Sequence, residues 1–105
     1  MLELPDILAA RDRLAGRIHR TPLLSAASLG AAARVKLFLK AELFQKTGSF
    51  KVRGVLNKLL SLDPAQRARG LISLSAGNHA AALAWAATAA GAKATIVMPA
   101  SAVPF

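Results

Sequence analysis

The chain has 105 residues, enough for one small domain, and a hydrophobic fraction of 54% excludes a disordered polymer. It contains no cysteine, so a disulfide framework and a thiolate metal site are both excluded, and its two histidines, His19 and His79, lie too far apart to suggest another metal site. The formal charge is +9, from 14 Lys+Arg against 5 Asp+Glu, but the basic residues are scattered and tyrosine is absent, so a nucleic-acid partner is not expected.

In chain order, Pro5 to Ile18 reads as a helix with a broken apolar stripe through Leu4, Ile7, Leu8, Leu14 and Ile18. Thr21-Pro22-Leu23 should be extended, because residues before proline avoid the helical region. Ser25 to Ala33 suggests a short helix that Gly30 ends or weakens, and Val35 to Lys40 alternates as a strand does. Ser49 to Leu60 is predicted helical, with Phe50, Leu56 and Leu59/Leu60 at helical spacing. Asp63-Pro64 opens another short helix, with aspartate as cap and proline at the first helical position, and Gly70 closes it. Leu71 to Leu74 is a predicted strand, Asn78 to Ala90 a helix and Ala94 to Met98 a strand. The alanine-rich stretch Ala80 to Ala92 suits close packing on a sheet. Strand-helix-strand units of this kind form parallel sheets with right-handed crossovers, so the fold class is α/β. No segment reaches the roughly 20 apolar residues of a membrane span, and Glu3, Pro5 and Asp6 interrupt any early signal-like region, so no membrane partner and a cytoplasmic location are expected.

Two segments carry candidate chemistry. In Gln45-Lys46-Thr47-Gly48-Ser49-Phe50-Lys51-Val52-Arg53-Gly54, small turn-forming residues stop just before Lys51 and a helical pattern begins. Lys51 then lies in the first turn, where the positive end of the macrodipole disfavours an ammonium and favours the neutral amine that can form a Schiff base. Read without other evidence, it is an ordinary solvated lysine. In Ser73-Leu74-Ser75-Ala76-Gly77-Asn78-His79-Ala80, a strand passes through small residues into a helix N-terminus, which offers unpaired N–H groups to an anion. The plainer alternative is a capped helix start, with Ser75 or Asn78 as N-cap and His79 exposed.

Taken in order, Lys40-Ala41-Glu42, the Lys51 segment and Ser75-Ala76-Gly77-Asn78-His79-Ala80 resemble the fold type II pyridoxal-phosphate enzymes, in particular the threonine/serine dehydratase (ammonia-lyase) branch. Gln45-Lys46 stands where cysteine synthases carry Asn-Pro, and Val52 where threonine synthases usually place Asp. Ala76 stands where serine racemases have a serine, which disfavours a two-base racemase. Ala81-Ala82 departs from the family's common Gln-Gly. The resemblance implies pyridoxal 5'-phosphate as cofactor, with Lys51 as its Schiff-base lysine and catalytic base. Phe50 would pack on the ring and Asn78 would donate to the phenolic oxygen. Ser75 and the N–H groups around Gly77, Asn78 and His79 would bind the substrate carboxylate. The implied reaction removes the β-hydroxyl of L-threonine or L-serine and yields a 2-oxo acid and ammonia.

Members of this family are roughly three times longer and have two domains. The resemblance thus assigns residues 1–45 to the larger domain and residues 46–105 to the first part of the smaller one. It also implies a homo-oligomeric full-length form. The chain reaches Ala102-Val103-Pro104-Phe105 directly after its last predicted strand and holds no glycine-rich phosphate cup. An N-terminal fragment, poorly stable and inactive alone, is the expectation. The competing expectations are a remnant that binds no cofactor, a serine racemase-like enzyme, and a basic nucleic-acid module whose retention would fall steeply with salt.

Overall fold

The computed structural model describes residues 1–103; Pro104 and Phe105, the end of the part 46–105 assigned to the smaller domain, lie outside the described residues. Helix α1 (Leu4–Leu14) starts where the Glu3 N–H donates to the Asp6 carboxylate at 2.9 Å. It stops four residues short of the predicted Ile18, because Ala15 turns extended (ψ 131) and Gly16 adopts a left-handed φ of 71°. Of the expected apolar stripe only Leu14 is buried within the helix.

Strands β1 (Leu23–Ser25) and β2 (Phe38–Lys40) pair antiparallel, Leu24 opposite Leu39, and helix α2 (Ala27–Ala33) connects them. The parallel arrangement expected from the strand-helix-strand pattern therefore does not extend to this pair. Two residue-level expectations also change. Val35 to Leu37 stay outside β2, and Gly30 sits buried inside α2 rather than ending it. A Cβ at Gly30 would lie 2.5 Å from the Val35 carbonyl oxygen, so the glycine serves a close approach of the returning chain.

Helix α3 (Lys51–Ser61) buries Val52, Leu56 and Leu59; Phe50, expected on this apolar face, is 57% exposed instead. Helix α4 (Pro64–Ala68) begins as predicted, with the Gln66 N–H donating to Asp63 at 2.7 Å and the Gln66 amide closing the box on the Asp63 N–H at 3.1 Å. Strand β3 (Leu71–Leu74), helix α5 (Asn78–Ala89) and strand β4 (Ala94–Val97) form the predicted crossover, with β3 and β4 parallel and Ile72 opposite Thr95. The alanine-rich helix packs most extensively on α3 rather than on the sheet. Ala82, Ala86 and Ala87 are buried, and the small Ala86 lets Leu56 and Leu59 of α3 close in. Leu14, Leu56, Leu59 and Ala86 form the centre of this core.

The radius of gyration is 16.6 Å, against about 13 Å for a compact domain of this size. Large apolar side chains on the strands stay open to solvent, Ile72 at 75% and Leu74 at 76%.

Candidate functional site

Lys51 is the first residue of α3 and is exposed. Its N–H donates to Ser49 Oγ at 3.4 Å, and its Nζ lies 5.0 Å from the centroid of the Phe50 ring. The turn leading into it is strained at one residue. Thr47 has φ 63° and ψ 15°, a left-handed conformation that costs a non-glycine residue about 1 kcal/mol or more, and Gly48 follows at φ 67°. The Thr47 hydroxyl is buried and has no hydrogen-bond partner among the described residues.

Long-range bonds hold this turn. Gln45 is buried, and its Oε1 accepts from the N–H of His19 and of Lys46, both at 3.0 Å. Its Nε2 donates to the His19 carbonyl at 2.8 Å. On the far side of Lys51, Arg53 donates from Nε to Glu42 Oε2 at 2.9 Å and from Nη2 to Oε1 at 2.7 Å. The buried Thr21 hydroxyl adds a 2.6 Å bond to the same carboxylate, and Lys40 Nζ donates to the Thr21 carbonyl at 2.6 Å. The Arg53 hydrogen bond lowers the Glu42 carboxyl from its ordinary 4.5 to about 2; burial opposes this and the Thr21 bond assists. Arg53 is pushed up in turn by its bond to Glu42.

The second segment is tied to β4 by its backbone, the Ser75 N–H donating to the Val97 carbonyl at 3.0 Å, and its side-chain bonds are local. Gly77, not Ser75 or Asn78, occupies the N-cap of α5, and no side chain caps that end. The Gly77 N–H donates to Ser75 Oγ at 3.3 Å. Asn78 is exposed, while His79 is half-buried with Nε2 3.0 Å from Ser73 Oγ. A cavity of about 450 Å³ is bordered by Phe50, Lys51, Ser73, His79 and the apolar Leu71 and Leu83, among others. It thus joins Phe50, Lys51 and His79 of the predicted set, whereas Ser75, Gly77 and Asn78 do not border it.

The sequence alone assigns no task to Gln45, Glu42, Arg53 or Thr21. The available signal is that Glu42 closes Lys40-Ala41-Glu42 and that Gln45 and Arg53 stand in the Lys51 segment, with opposite charges at positions 42 and 53.

Over residues 14–105 the chain matches the family described as pyridoxal-phosphate dependent enzyme, and it belongs to that family. A serine racemase of Arabidopsis thaliana is 50% identical over 97 residues, covering 90% of this chain and 29% of the relative. An L-threonine ammonia-lyase of Thermotoga maritima is 46% identical over 99 residues, covering 94% of this chain and 25% of the relative. Among solved structures, maize serine racemase superposes with a TM-score of 0.90 at 44% identity, over 96% of this chain and 31% of that one. The chain therefore spans under a third of the length of these relatives.

The residues present fit the family's cofactor. Lys51 offers an accessible primary amine for an aldehyde, and the cavity beside it has apolar walls for an aromatic ring. The uncapped N-terminus of α5 presents N–H groups and a positive dipole end, which suit an anionic group.

Proposed function

We propose that this chain supplies the lysine-bearing part of a pyridoxal-phosphate dependent ammonia-lyase acting on L-threonine or L-serine. The observation that carries the reading is the position of Lys51, an exposed amine at a helix N-terminus, bordering an apolar cavity beside Phe50 and across from His79. Lys51 would hold the cofactor covalently, Phe50 would flank its ring and Asn78 would donate a hydrogen bond to it. When bound, the cofactor supplies an electron sink for the charge left on Cα as its proton departs. The chain's own tasks are orientation and proton transfer. The Lys51 amine, once free, accepts the Cα proton at Nζ. Ser75 and the N–H groups around Gly77, Asn78 and His79 hold the substrate carboxylate, and that fixes which bond at Cα faces the lysine.

Support for the lyase reading over a racemase comes from Ala76, which has no hydroxyl to move a proton on the opposite face of the substrate. Relatives named as serine racemases and as ammonia-lyases both occur, so the racemase is the second reading. The domain assignment, residues 1–45 to one domain and 46–105 to the next, is supported by two separate strand pairs, one on each side of residue 45.

The test is to incubate the purified protein with pyridoxal phosphate, reduce with borohydride and map the modified lysine by peptide mass. Label concentrated on Lys51 over Lys36, Lys40, Lys46, Lys58 and Lys93 is the expected result. Label spread evenly, or none, overturns the assignment.

A further inference from the structure

Among the described residues, the immediate surroundings of Lys51 hold it only weakly, through the Phe50 ring 5.0 Å from its Nζ. Its side chain is exposed, the helix start has no side-chain cap, and the Ser49 contact at 3.4 Å is long. The buried Val52, Leu56 and Leu59 hold one face of α3 against its neighbours, but apolar contacts are non-directional and set the helix's rotation less sharply than a directional bond does. A two-pronged guanidinium–carboxylate pair is directional. Arg53 makes one with Glu42, at 2.9 and 2.7 Å, and its Nη2 also reaches Thr21 Oγ1 at 3.3 Å and the His19 carbonyl at 3.4 Å. Two residues along a helix are about 200° apart around its axis. A turn of α3 that moved Arg53 off Glu42 would therefore swing Lys51 through the same angle on the other side.

We propose that Arg53, clamped by Glu42 and Thr21, is the positioning residue that sets the rotation of the first turn of α3 and so aims the Lys51 amine. This rests on the reading of Lys51 as the cofactor-binding lysine. Gln45 pins the incoming strand of the turn to His19, and Arg53 pins the outgoing helix to Thr21 and Glu42. Lys51 lies between two attachments to one short extended segment. The clamp partners lie off the helix, so they do not move with it. Arg53 also borders both the Lys51 cavity and a second cavity of about 710 Å³ on the α1 side. It stands in the wall between them.

The experiment compares borohydride-trapped label on Lys51 with that on the exposed Lys36 and Lys93 in the same sample, for the wild type, Arg53→Met, Arg53→Lys and Glu42→Gln. Far-UV circular dichroism and Trp85 emission establish that each variant is folded. Arg53→Met and Glu42→Gln should reduce the Lys51 excess about tenfold, the scale expected when a reacting group is misplaced by less than an ångström or so. Arg53→Lys, with one ammonium in place of the fork, should recover part of it. Ala86→Gly, a helix change away from the clamp, should lower the thermal midpoint without moving the ratio, which separates aiming from stability. If Arg53→Met does not fold, Thr21→Val gives the same reading, as a smaller loss in the same direction. An unchanged Lys51 excess in folded Glu42→Gln and Thr21→Val overturns the proposal. Absence of any Lys51 excess in the wild type overturns the cofactor-lysine reading itself, and this proposal with it.

Discussion

Two turns enter helix N-termini in this chain, and they are built differently. The turn before Lys51 is fixed from outside, by side chains bonded to residues 26 positions away through Gln45 and 32 to 34 away through Arg53. The turn before Asn78 has no long-range side-chain bond among the described residues: it is held by the Ser75 N–H on the Val97 carbonyl, by Ser75 Oγ and by the contact of His79 with Ser73. Under the proposed function Lys51 is a covalent anchor that must return to one place at each turnover, and a long-range network would over-determine that place. The α5 start carries no side-chain cap, although the Gly77 N–H is already bonded to Ser75 Oγ.

The contrast breaks first at Gln45. Gln45→Ala removes the three hydrogen bonds of a buried side chain, two of them to the His19 backbone, so it should cost about 2–4 kcal/mol in denaturant unfolding; a loss below 1 would mean the turn is held otherwise. Acid should act next. The Glu42 carboxyl titrates at about 2 in the folded chain, below its ordinary 4.5, so the unfolded state binds the proton more readily. The clamp's contribution is complete above pH 4.5 and is lost as the pH falls towards 2, by about 1–2 kcal/mol after allowance for solvent screening. Glu42→Gln should flatten that part of the stability–pH curve. Thr47→Gly relieves a left-handed residue and deletes an unpartnered hydroxyl; a gain of about 0.5–1 kcal/mol is expected in thermal unfolding. A loss there would mean that the methyl and hydroxyl pack usefully. Ser75→Ala should change stability by less than about 0.5 kcal/mol, because its one bond is long and local. Any larger effect would place the second turn in the same class as the first.

The same division explains what could be read in advance. Strand β3, the start of α4 and the extent of α5 follow from neighbours in sequence: Asp63-Pro64, Gly70, and an alanine run bounded by Gly77 and Gly91. The position of Lys51 at the head of α3 was legible for that reason too. The antiparallel β1–β2 pair was not, because its register is set by α2 folding back over Gly30, and a glycine inside a helical pattern reads as a stop. Nor was the clamp, since nothing local to Arg53 reveals that Thr21 and Glu42 converge on it. Phe50 counted towards the apolar stripe by spacing alone, yet it precedes the first helical residue and so escapes the buried face.

The alanines of α5 have a kinetic consequence. Alanine loses no rotamer freedom on burial, whereas leucine loses about 0.5–1 kcal/mol. Ala86 packs with Leu56 and Leu59 of α3, most of the buried side chains of α5 are alanines, and the two helices are separated by α4 and β3. Low ordering cost and modest loop closure make this helix pair the natural nucleus of folding, with the polar clamp around Arg53 locking only after the chain has collapsed. Substitutions in α5 should therefore slow folding, while substitutions at Glu42 or Thr21 should chiefly speed unfolding.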